Sequence, residues 1–77
     1  MTVEQARQRL LALIEKHGGY VPVAIIEADK QLAVNREVAS AAAHELATEP
    51  DITAGEETDK PPYWFPYSFL MRDEAAA

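Results

Sequence analysis

The sequence predicts a small α+β domain: three helices combined with a two- to three-stranded β-sheet. Three observations predict it. Residues 3–16 and 36–48 each carry apolar side chains at helical spacing. Between them, the stretch from Ala24 reads as a shorter helix, closed by a tight turn at Leu32, Ala33 and Val34. After Pro50 the pattern changes to two short β-favouring runs, residues 51–54 and 63–70, separated by a polar acidic loop.

The first helix begins at Thr2, where Thr, Val, Glu and Gln in succession match a capping box in which Gln5 reaches back to the cap. Val3, Ala6, Leu10, Leu13 and Ile14 form its apolar face, with Leu11 on the flank, and Arg7, Gln8, Glu15 and Lys16 point to solvent. Glu4 near the start and Lys16 and His17 near the end suit the helix dipole. Gly18 and Gly19 supply the left-handed residue that ends it. Tyr20 and Val21 form a short strand, and Pro22 occupies the first turn of the second helix. Val23, Ile25 and Ile26 require that helix to bury two faces, as the middle helix of a three-helix unit must.

The third helix opens at Asn35, whose side chain suits an N-cap, with Glu37 in the first turn. It closes near Thr48, ahead of Pro50. Val38, Ala39, Ala42, Ala43 and Leu46 make one apolar stripe, and the alanines let a neighbouring helix approach closely. Arg36, Ser40 and His44 lie opposite, with Glu37, Ala41 and Glu45 beside them. In residues 63–70, Pro66 restricts the strand to an edge or a bulge, and Trp64 with alternate neighbours is expected to cover the helices. Residues 1–72 are expected to form one domain and residues 73–77 a flexible tail.

The turn carries Ala33, Val34 and Asn35. This resembles the helix-turn-helix of bacterial transcription regulators, where a small residue, a Val and a capping Ser or Asn sit at the turn. The order helix, strand, helix, helix, strand, strand over residues 2–70 is similar to that of winged-helix domains. The resemblance implies that helix 36–48 enters the major groove of double-stranded DNA, with Asn35, Arg36, Ser40, Ala41 and His44 on the contacting side. Arg36 suits guanine, and Ser40 a base or a phosphate. Arg7, Arg9 and Lys30 are the candidates for added phosphate contacts, and dimers are the expected assembly. The loop that would be the wing departs from the pattern. DNA-binding members commonly carry Arg or Lys at the tip, whereas here Glu56, Glu57, Thr58 and Asp59 stand with Lys60 alone.

Charge supports a second reading. The formal net charge is −6 over 77 residues. Residues 51–77 hold two cations against six acids, and residues 1–50 hold five against seven. DNA binding draws affinity from cations that neutralise phosphates, and this chain offers few. The same frame therefore suits an acidic protein-interaction module that docks on a basic surface of a nucleic-acid enzyme or regulator. Five aromatics fall within residues 63–69, and Tyr63, Trp64, Phe65 and Tyr67 are the candidate protein interface, including one with a second copy. A chain this short buries only about 60% of its unfolded surface, so a partner would supplement the core.

No enzyme is expected. Ser40 and Ser68 lack a nucleophile-elbow setting, there is no cysteine, and Gly18, Gly19 and Gly55 make no phosphate loop. His17 and His44 lack partners for a metal, and Glu56, Glu57 and Asp59 lack calcium-loop spacing, so no cofactor is expected. No run suits a membrane span, and the N-terminal stretch lacks a signal-peptide pattern. With the absence of cysteine, this gives a cytoplasmic expectation.

Overall fold

The computed structural model describes residues 1–58 and 62–73. The elements run α1 (Val3–Lys16), β1 (Tyr20–Pro22), α2 (Val23–Ala28), α3 (Lys30–Ala33), α4 (Arg36–Leu46), β2 (Ile52–Ala54) and β3 (Phe69–Arg72). The fold is mixed helix and sheet. Among the described residues there are four helices rather than three, because the expected second helix divides at Asp29.

The start and stop of α1 follow its sequence. Thr2 Oγ1 accepts from the Gln5 N–H at 3.1 Å, and Gln5 Oε1 accepts from the Thr2 N–H at 2.9 Å. At the other end Gly19 donates to Ile14 and Gly18 to Glu15, a Schellman pairing that requires the positive φ of 77° at Gly18. Ala6, Leu10, Leu13 and Ile14 are buried, and α1 packs chiefly on α4.

Three corrections concern the middle of the chain. Asp29 is extended (ψ 118°), and its Oδ1 accepts from the Leu32 N–H at 3.2 Å, so it ends α2 and caps α3. Pro22 closes β1 and sits at the N-cap of α2, before the first helical turn. The turn into α4 is Val34 and Asn35, two residues beyond its expected start. Asn35 does not cap α4 with its side chain. Its Nδ2 instead donates to the Gln31 carbonyl at 2.8 Å, closing the end of α3. The α4 stripe lies as expected: Ala39, Ala42, Ala43 and Leu46 are buried and Val38 is half-buried. The helix ends at Leu46 rather than near Thr48, giving way to turns in which the Thr48 hydroxyl donates to the Glu45 carbonyl.

The three strands form one antiparallel sheet in the order β1-β3-β2. Val21 faces Leu70 across one ladder, and Ala54 faces Leu70 across the other. Val21, Ile52 and Leu70 turn inward, while Tyr20, Thr53 and Met71 are exposed. Pro22 costs the ladder little because β1 is an edge strand.

The expected strand over residues 63–70 is displaced to Phe69–Arg72. The β2–β3 hairpin continues past the strands through Ser68 donating to Glu56, a Glu57–Tyr67 bridge and Thr58 donating to Pro66. Nearer the loop, Pro62 and Pro66 offer no N–H, and the amides of Trp64 and Phe65 are satisfied by a helix side chain instead of a strand. Phe65, not Trp64, enters the core and is fully buried, while Trp64 and Tyr67 pack against its margin. Asp59, Lys60 and Pro61 of the expected loop tip, and residues 74–77 of the expected tail, lie outside the described residues. No helix among the described residues is long and apolar enough to cross a membrane.

Candidate nucleic-acid interface

The turn and the first half of α4 stand out from the body of the molecule. Val34 at the turn is 80% exposed. Arg36, Glu37, Ala41, His44 and Glu45 are exposed along α4, while Asn35 and Ser40 are half-buried. Two open depressions flank the turn. One, of about 590 Å³, lies between α1 and α3 and includes Met1, Gln5, Arg9, Gln31 and Val34 in its lining. The other, of about 370 Å³, follows residues 33–38.

The aromatic segment runs beside the stripe Arg36, Ser40, His44. The guanidinium carbon of Arg36 lies 5.9 Å from the Trp64 ring centroid, and Arg36 Nε donates to the Ala33 carbonyl at 3.1 Å. Eight residues along α4, His44 Nδ1 is 3.1 Å from the Tyr67 hydroxyl, with the two rings edge to face. Residues expected to contact DNA and residues expected to contact protein are thus neighbours on one surface. Phe65 is the exception, because complete burial removes it from any interface. Tyr63 is 45% exposed.

The expected phosphate contacts divide by location. Arg7 is not directed to solvent. It lies on the α1–α4 seam, with Nη1 3.2 Å from Glu4 and 3.8 Å from Glu45, and Nη2 3.3 Å from Glu49. Its Nε is buried without a hydrogen-bond partner. Arg9 binds the Asp29 carboxylate through Nε at 2.8 Å. Arg72 pairs with Glu15 and Asp51. Lys30 and Arg36 form no ion pair among the described residues, and both are exposed, one on each side of the α3–α4 turn.

No protein-family model, no characterised protein and no solved structure matches this chain. The site offers one lysine, one arginine, a histidine and two glutamates around an apolar turn. Among the described residues no group of His, Cys, Asp and Glu has the arrangement of a metal site.

Two contributors escaped the reading of the sequence. Asp29 had a signal: an aspartate three residues before a buried leucine is an N-cap pattern. Glu27 had none, because its partners lie 37 and 38 residues away.

Proposed function

We propose that this chain is a small winged helix-turn-helix DNA-binding module of the transcription-regulator type, which sets the N-terminal half of α4 in the major groove. The element order, the sheet order β1-β3-β2 and the α3–turn–α4 corner support that reading. The observation that carries it is the distribution of cations. Arg7, Arg9 and Arg72 are neutralised by acids, and of the three cations without a paired acid among the described residues two, Lys30 and Arg36, bracket the turn, while the third, Lys16, stands at the C-terminal end of α1. Positive charge is thus available where the helix would meet the duplex.

Two unpaired cations at the turn make a small electrostatic footprint. Titration into duplex DNA at low salt tests the reading, with the salt dependence as its signature. Binding is expected with a shallow slope of log K against log salt, about −1, since Lys30 is the phosphate contact at the turn and each neutralised phosphate contributes about −0.9. Lys30→Ala is expected to weaken binding and reduce the slope by about 1, whereas Arg36→Ala is expected to weaken binding by removing a base contact. Absence of binding at low salt, where screening is least, contradicts the reading.

A second reading is an acidic protein-interaction module. It is favoured by the net charge of −6 and by Tyr63, Trp64 and Tyr67 standing at the surface beside α4. It predicts that Tyr63→Ala and Trp64→Ala abolish association with a basic protein partner or with a second copy. Sedimentation of the isolated chain tests the second case: a monomer at every concentration removes the homodimer.

A further inference from the structure

Glu27 lies on α2, yet its carboxylate holds a segment far along the chain. Its Oε2 accepts from the Trp64 N–H at 2.7 Å and from the Phe65 N–H at 2.9 Å. Charge-assisted bonds of this kind are short and are roughly twice as strong as neutral ones. They fix two consecutive residues whose side chains separate. Phe65 goes into the core, and Trp64 remains at the margin. There its ring faces the guanidinium of Arg36.

Arg36 is therefore held in two ways. Its face lies against Trp64, and its Nε edge is committed to the Ala33 carbonyl. Nη1 and Nη2 make no hydrogen bond among the described residues. A guanidinium restrained on one face and one edge presents its remaining fork with little rotamer entropy left to lose.

We propose that Glu27, Trp64 and Arg36 form a positioning relay: Glu27 pins Trp64, Trp64 supports the guanidinium, and Arg36 offers Nη1 and Nη2 as a preset fork for the O6 and N7 acceptors of guanine. The guanine assignment rests on the DNA-binding reading above, whereas the relay exists in the free protein. Arg36 is the contacting residue and Glu27 the positioning one.

Trp64 is the chain's one tryptophan, so its fluorescence reports on the relay directly. In the free, full chain, Arg36→Ala is expected to raise the acrylamide quenching constant of Trp64 measurably, because the guanidinium covers one face of the ring. Glu27→Ala raises it as well, and the double variant goes no further than Glu27→Ala alone. Glu27→Gln keeps an acceptor oxygen and restores most of the wild-type value. Circular dichroism establishes that each variant is folded. If Glu27→Ala does not fold, Arg36→Ala and Glu27→Gln still decide. Unchanged quenching in Arg36→Ala, or independent additive effects of the two sites, overturns the relay.

Random-sequence duplex pools made with guanine or with 7-deazaguanine then test the fork. Loss of N7 is expected to weaken wild-type binding, though less than Arg36→Ala does because O6 remains as an acceptor, to leave Arg36→Ala equally weak on both pools, and Glu27→Ala to weaken binding in the same direction. Equal affinity of the wild type for both pools overturns the guanine assignment. If neither pool is bound at low salt, the DNA-binding reading fails while the quenching result still decides the relay.

Discussion

Asp29 performs three tasks with one residue. Its extended backbone ends α2, its Oδ1 starts α3, and its Oδ2 takes Arg9 from α1. Burial works against its charge, but the Arg9 hydrogen bond, the Leu32 amide, the Arg9 charge and the Gln31 amide outweigh it, so the carboxyl titrates below its ordinary range. A carboxylate depressed in the folded state contributes stability that is present above its unfolded pKa of about 3.9 and is lost as pH falls through the lower folded value. Asp29→Asn keeps a competent cap and removes the charge. It is expected to be less stable than wild type at neutral pH, with the difference shrinking as pH falls below about 4, in urea titrations across that range. The same residue shows what sequence can carry. Its capping role is local and was readable from Asp29 and Leu32, three positions apart. Its pairing with Arg9 spans 20 residues, so composition offered Arg9 as a free cation when it is not one. Arg7 was misplaced for the same reason: helical periodicity puts it on the outer flank of α1, but Glu45 and Glu49 reach it from across the seam and join Glu4 of its own helix.

At the scale of elements, alanine sets how closely α4 meets α1. Ala39, Ala42 and Ala43 are completely buried, as is Ala6 opposite. Ala42→Leu is expected to destabilise the domain by about 1–3 kcal/mol, measured by urea denaturation, because a close-packed seam has no room for three more carbons. This stripe was legible because it depends on period alone. The aromatic segment was not. Five aromatics read as a strand, yet Pro62 and Pro66 withhold two donors and Glu27 provides another place for two more. Strand alternation then fails, and Phe65 instead of Trp64 becomes the core residue. Phe65→Ala is expected to cost about 3–5 kcal/mol, against roughly 3–5 kcal/mol for the whole core of a domain this small. Far-UV circular dichroism should therefore find it largely unfolded at 25 °C, whereas Tyr63→Ala should be as stable as wild type.

For the molecule as a whole, the fold class was carried by element order, and the four-helix division came from one capping residue. Function is the less legible level because charge count and charge placement disagree. A net charge of −6 argues against nucleic acid, but an ion pair within the protein removes equal amounts of both signs from play. What remains is uneven: among the described residues Lys30 and Arg36 stand at the turn and Lys16 at the end of α1, against Glu37 on α4 and Glu56 and Glu57 on the hairpin. The central claim is that the turn and the first half of α4 are the surface that meets duplex DNA. Amide chemical-shift mapping during addition of a random-sequence duplex pool at low salt tests it most directly. The account predicts shifts concentrated at residues 30–44, with the outer sheet face around Tyr20, Thr53 and Met71 unmoved. Shifts confined to that sheet face, or none at all, would contradict it.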